Sequence, residues 1–201
     1  NSSALGFVNA ADFIPLAEYL GLINPIGEYV MKNAALRCKY WNDMGHPEYH
    51  VNVNLSVVQL LQNDIVKKIA TTLKETRNNP RNLPLEVTES LAINDMSRIK
   101  KTLSEIRELG VRVALDDFGT GYSSLNHIRE MPLDVIKIDR CFIEHIGEDD
   151  FSDAFVKMVA ELARTIGVRI CVEGVETKKQ RDVVKRMGIS MIQGYLYGKP
   201  M

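Results

Sequence analysis

No stretch of this sequence stays apolar for the ~18 residues that a membrane-spanning helix needs, and its first residues form no signal-peptide pattern. Charge imbalance is equally absent. The chain has 25 Lys and Arg against 26 Asp and Glu, a formal net charge of −1. That argues against a sequence-blind binder of nucleic-acid polymers or membrane surfaces, so a phosphate-bearing ligand has to be captured by local chemistry. Cysteine is scarce. Cys38, Cys141 and Cys171 are odd in number, far apart and set in apolar stretches, which reads as buried, reduced thiols of a cytoplasmic compartment with no chemistry of their own. A soluble segment of a membrane-anchored parent would give the same reading.

Paired Cys or His ligands are missing too, which argues against zinc. His46 and His50 are four apart, but Gly45 ends the preceding helix and Pro47 intervenes, so both are loop residues. His127 and His145 are isolated, structural or solvated. There is no Ser-His-Asp set, no Walker-type loop, and no linker-like or low-complexity break.

What is present is a chain of 201 residues with 45% hydrophobic content, enough for one sizeable core and by default one domain. Its most informative run is Asp116-Asp117-Phe118-Gly119-Thr120-Gly121-Tyr122-Ser123-Ser124. Two carboxylates follow the apolar strand-like segment Val111 to Leu115 and precede a tight Gly-x-Gly loop. Carboxylates at the end of a buried strand are costly to desolvate unless they hold a cation or a hydrogen-bond network. Adjacent Asp residues on a strand diverge, so they can serve two ions, or one ion and one structural contact. The plainer reading is an Asp N-cap for a helix opening at Ser123.

Along the chain, strand and helix patterns alternate. Strand candidates are Tyr49–Asn54, Leu83–Thr88, Val111–Asp116, Leu133–Ile138, Val168–Glu173 and Ser190–Tyr195. Ile99, Leu103, Ile106 and Leu109 recur at helical spacing, as do Phe155, Val159, Leu162 and Ile166. Gly110, Gly167 and Gly188 each end a helix and lead straight into a strand, the left-handed C′ use of glycine. Before the first strand, Asn9 caps a helix from Ala10 to Leu20, and Pro25 opens a long amphipathic helix ending near Gly45. The segments Gly110–Asp116 and Gly167–Glu173 match as one βα unit used twice, each ending on an acid.

Alternating β and α with short loops predicts an α/β fold with a parallel sheet, open or closed. Asn54, Glu86, Asp116, Lys137, Glu173 and Gln193 fall at or near the carboxyl ends of successive strands. In a barrel those ends converge on one mouth. The expectation is therefore a TIM-like (β/α) barrel, with about six of its eight strands in this chain.

Lys137 stands between Ile136 and Ile138. An outward-facing strand lysine is the bland alternative, but parallel barrel strands have little wet surface. An inward Lys can bind a phosphate oxygen, or position and deprotonate water. Gln193 can hydrogen-bond a nucleotide or a water, or be a satisfied barrel-mouth glutamine. Glu176 and Thr177 cap the helix from Lys178.

These residues resemble the EAL domain family, the cyclic di-GMP phosphodiesterases of bacterial signalling. The matching segments are Asp12–Glu18, Val53–Ser56, Leu85–Ser90, Asp116–Leu125, Asp134–Asp139, Val172–Glu176 and Gln193–Tyr195, in order, across essentially residues 1–201. The Glu-Ala-Leu tripeptide that names the family has no counterpart here. The resemblance thus implies one EAL-type domain, 1–201, truncated at its amino end, with two barrel strands and one metal ligand upstream of Asn1. It implies hydrolysis of cyclic di-GMP to linear pGpG at a two-metal Mg²⁺ or Mn²⁺ site. Asn54 and Glu86 would hold one ion, Asp116 would bridge, and Asp117 would serve the second. Glu173 would complete that second site or orient the water. Glu89 would steady the loop after the paired Asp by accepting its N–H groups. A homodimer is the expected assembly. The alternative is a binding or regulatory module that recognises the dinucleotide without turnover.

Overall fold

The computed structural model describes residues 6–89, 95–121 and 125–199. The expected helix start at Ser123, with Tyr122, Ser124 and Ser90, lies outside the described residues. Two compact units divide the chain: Asn1–Leu85 with Ser97–Val111, and Glu86–Met96 with Arg112–Met201.

In the first unit, Asn9 accepts the Ala11 N–H and starts α1, Ala10–Tyr19. Helix α2, Ile23–Asp43, begins two residues before Pro25, which fits within the first turn where no intrahelical N–H is needed. Its buried residues Ile23, Gly27, Met31, Ala35 and Cys38 recur every three or four positions and form one stripe. Strand β1, Val53–Asn54, is far shorter than the expected Tyr49–Asn54. The extended chain before it still bonds, Val51 N–H to Asn82 O at 3.0 Å and Val53 N–H to Pro84 O at 2.9 Å. Helices α3, Val57–Leu60, and α4, Ile65–Thr76, follow, and β2, Leu85–Thr88, begins here and ends in the second unit. Helix α5, Met96–Glu108, buries Ile99, Leu103 and Ile106.

The second unit is built on β3, Val113–Phe118; β4, Val135–Ile138; β5, Arg169–Val172; and β6, Met191–Ile192. These four pair in parallel. Within this unit the strand order is the chain order. Helix α6, Leu125–Glu130, follows β3. Helix α7, Asp150–Ile166, is capped by Asp149 and closed by Gly167 at φ 74. Thr177 and Gln180 form a reciprocal capping box on α8, Lys178–Arg186.

One face of this sheet has a simple construction. Ala114, Val135 and Cys171 are buried together with Met191 packed against them. Side chains two residues apart on a strand share a face. Asp116, Lys137, Glu173 and Gln193 therefore stand one step further along the same face, toward the carboxyl ends. An apolar layer supports a polar one.

Among the described residues no helix is long and apolar enough to cross a membrane. All three cysteines are free thiols; Cys38 and Cys171 are buried, but Cys141 is exposed. The expectation of burial fails there because Cys141 sits in the 3₁₀ turn Arg140–Phe142 after β4, not on a strand. His46 and His145 lie outside helices, and His46 stacks on Tyr49 with ring centroids 4.5 Å apart.

Candidate active site

Lys137 is the hub of the polar layer. Its side chain is 5% exposed, and Nζ lies 2.7 Å from Glu86 Oε1, 2.9 Å from Asp116 Oδ1 and 2.6 Å from Glu173 Oε1. Burial by itself would lower the ammonium's pKa, but hydrogen bonds to Glu173 and Glu86 outweigh it and hold the value above that of an ordinary lysine. Glu173 is shifted the other way from an ordinary paired carboxylate. Burial raises its pKa, Lys137 opposes the rise, and the charges of Asp116 and Glu86 add to it.

The two aspartates do not follow the strand; both lie within β3, which runs two residues further than expected. The ladder to β4 slips between Leu115 and Phe118, and Asp117 adopts φ 56. A bulge of this kind re-aims a side chain that strict alternation would send to the opposite face. Asp116, Asp117 and Glu173 consequently each offer a carboxylate oxygen within 4.8 Å of the others. Asp117 has a raised pKa, from burial first and then from Asp116 beside it. Three oxygens so placed are a suitable donor set for a hard divalent cation.

Glu89 sits one residue beyond β2. Its Oε2 accepts the N–H of Gly119 at 2.9 Å and of Gly121 at 3.0 Å. Asn54 ends β1 in the first unit with its side chain exposed. Gln193 is exposed; its main-chain N–H donates to Val172 O at 2.8 Å.

A cavity of about 810 Å³ opens beside the cluster, lined by Asp117, Glu173 and Gln193. Its walls also include Asp139, Arg140, Glu176, Tyr195, Tyr197 and Lys199, to which the sequence reading gave no role in a site. Asp139 could have been found, since it continues the alternation Val135, Lys137, Asp139. Tyr195 and Lys199 lie past β6 with no periodic signal; here the Lys199 ammonium stands 5.6 Å from the Tyr195 ring centroid.

A parallel α/β sheet presenting a buried lysine and clustered carboxylates at its carboxyl ends defines a class, with the site where such folds place their chemistry. The EAL domain model matches residues 1–200, and the chain belongs to the EAL domain family. It is 39% identical over 196 residues to the bifunctional diguanylate cyclase/cyclic di-GMP phosphodiesterase MucR of Pseudomonas aeruginosa, covering 98% of this chain and 29% of that protein. The chain spans less than a third of the curated relatives it matches most strongly. Among solved structures it resembles the PaMucR phosphodiesterase in complex with c-di-GMP. The TM-score is 0.92 at 38% identity, covering 100% of this chain and 81% of that one. The EAL domain of Mycobacterium smegmatis DcpA matches with TM-score 0.84 at 34% identity, covering 87% and 79%. The α/β fold with its parallel sheet is that of EAL structures, which are TIM-like barrels, with six strands among the described residues.

Proposed function

We propose that this domain hydrolyses cyclic di-GMP to linear pGpG, within a longer signalling protein. The observation that carries the reading is Lys137, a buried ammonium tied to Glu86, Asp116 and Glu173 beside the Asp116-Asp117-Glu173 oxygens. The relatives support it: curated ones are named cyclic di-GMP phosphodiesterases, and a similar structure is a c-di-GMP complex.

The Asp116, Asp117 and Glu173 oxygens suit Mg²⁺ or Mn²⁺; Asp116 and Asp117 would hold the ions, joined by Glu86, which shares Lys137 with them, and by Asn54 on the resemblance alone. When bound, such ions neutralise charge on the phosphoryl oxygens and acidify the attacking water. The protein's own groups do the rest. Lys137 stays protonated at neutral pH, because its pKa lies above the ordinary lysine value. That favours a fixed positive charge that holds the three carboxylates together over a lysine that deprotonates water. Glu173, a carboxylate whose pKa burial has raised, is the better proton acceptor from the attacking water. Water adds to phosphorus, the bond from phosphorus to the 3′ oxygen breaks, that oxygen takes a proton from solvent to leave as the 3′ hydroxyl, and the 5′ phosphate stays on the linear product. Gln193 lines the cavity beside this centre and orients the nucleotide. Glu89 fixes the loop through Gly119 and Gly121.

The free thiols favour a cytoplasmic setting. A homodimer is favoured by the exposed apolar residues Phe151 and Met158, seven apart on one face of α7.

The test is turnover of cyclic di-GMP with Mg²⁺ or Mn²⁺ by the wild type and by Glu173→Gln. The expected outcome is loss of turnover in the variant, by about 10²-fold or more, with nucleotide binding retained. Full hydrolysis by Glu173→Gln would remove Glu173 from its role. Binding without turnover by the wild type would support the receptor alternative.

A further inference from the structure

Among the described residues only Arg77 and Asp117 are non-glycine residues at positive φ. Holding a side-chain-bearing residue in that region costs on the order of 1–3 kcal/mol and persists only where the surroundings enforce it. Part of the enforcement is polar. Thr120 donates to Asp117 O through its N–H at 3.3 Å and its hydroxyl at 2.9 Å, and Glu89 grips Gly119 and Gly121. The rest is aromatic. Phe142 and Phe155 stack with centroids 3.9 Å apart at 15°, and they press on Gly119 closely. A Cβ at Gly119 would lie 2.5 Å from the Phe142 ring and 2.7 Å from that of Phe155. Phe118 is buried, with its ring centroid 6.1 Å from that of Phe155.

Residues 118 and 119, immediately after Asp117, are therefore clamped between a carboxylate and a pair of stacked rings. Phe142 arrives on the 3₁₀ turn after β4, and Phe155 on α7. Neither ring lines the cavity.

We propose that Phe142 and Phe155 are positioning residues that lock the bulge at Asp117 and so set the affinity of the acidic cluster for its cation. The proposal rests on reading Asp117 as a metal ligand. A ligand that must be returned to a strained conformation on each binding event binds more weakly than one already held there. Groups that orient metal ligands typically change metal affinity 10–100-fold when removed.

The test measures Mn²⁺ binding by electron paramagnetic resonance, without substrate, alongside thermal stability and amide exchange at residues 118–121. The variants are Phe155→Leu, Phe142→Leu and, as a control, Ile69→Val, which trims a fully buried side chain on α4 of the first unit. The expected result is Mn²⁺ affinity lowered about tenfold and faster exchange at Gly119 and Gly121 in both Phe variants. Ile69→Val should lose stability with affinity unchanged. If the Phe variants bind Mn²⁺ like Ile69→Val, the positioning role is overturned and the metal reading stands. If the wild type binds no Mn²⁺, the metal reading fails and this proposal with it.

Discussion

Lys137 sets the energetics at the scale of single residues. Its side chain and those of Glu86, Asp116 and Glu173 are between 5% and 16% exposed. Two buried carboxylates and a third that is largely buried, around one ammonium, leave an excess of negative charge, so the lysine is the least dispensable member. Removing one partner of a buried ion pair typically costs about 3–5 kcal/mol, because the remaining charge is left desolvated and unpaired. Lys137→Ala should therefore lose about that much unfolding free energy in urea with a chelator present. Addition of Mn²⁺ should recover part of the loss, since a divalent cation at the same carboxylates supplies compensating charge. A loss below about 1 kcal/mol, the range of exposed pairs, would show that the cluster is not electrostatically coupled as its distances imply.

At the scale of elements, the bulge in β3 shows what a sequence discloses and what it withholds. Ala114 and Asp116, Val135 and Lys137, Cys171 and Glu173, Met191 and Gln193 all repeat one pattern, an apolar residue and then a polar one two positions on. Period-two alternation made those strand ends legible, and Gly110, Gly167 and Gly188 marked the helix ends because few other residues accept positive φ. The paired aspartates stood out in the sequence as candidates, but their geometry did not. Alternation sends Asp116 and Asp117 to opposite faces; the left-handed turn that brings Asp117 back is braced locally by Thr120 and, through tertiary contacts on the next residues, by Glu89, Phe142 and Phe155. Such contacts have no signature in local spacing. Gly119 makes this measurable. Gly119→Ala combines backbone strain at φ 102 with a collision against two rings, whereas Gly167→Ala at φ 74 meets nothing within 4 Å. The first should cost more than the second, by about 1–3 kcal/mol of overpacking, in paired thermal or denaturant unfolding. Equal losses would mean that the rings give way freely and do not clamp the loop.

On the scale of the whole molecule, the balance of charge decides how an anionic ligand can be held. The net charge of −1 offers no attractive field at a distance. The cavity is no better locally: Asp117, Asp139, Glu173 and Glu176 face Arg140 and Lys199. A dinucleotide with two phosphodiester charges would meet a surplus of negative groups there, unless cations at the acidic cluster reverse the sign. Binding should accordingly be conditional on a divalent ion, a dependence that a merely shape-complementary pocket would not show. Glu173→Gln, in which turnover should not deplete the ligand, allows the linkage to be read directly. With Mn²⁺ and cyclic di-GMP at about 100 times its Kd, unfolding free energy should rise by about 2.7 kcal/mol over the value with Mn²⁺ alone. With a chelator in place of Mn²⁺, the same nucleotide concentration should add little. Adding Asn54→Ala to that variant tests the residue whose role rests on resemblance alone: a ligand to the metal would weaken the Mn²⁺-dependent increment, and an exposed strand-end amide would leave it intact. Equal stabilisation with and without the cation would overturn the electrostatic account, because the cavity walls alone would then suffice to hold the phosphates.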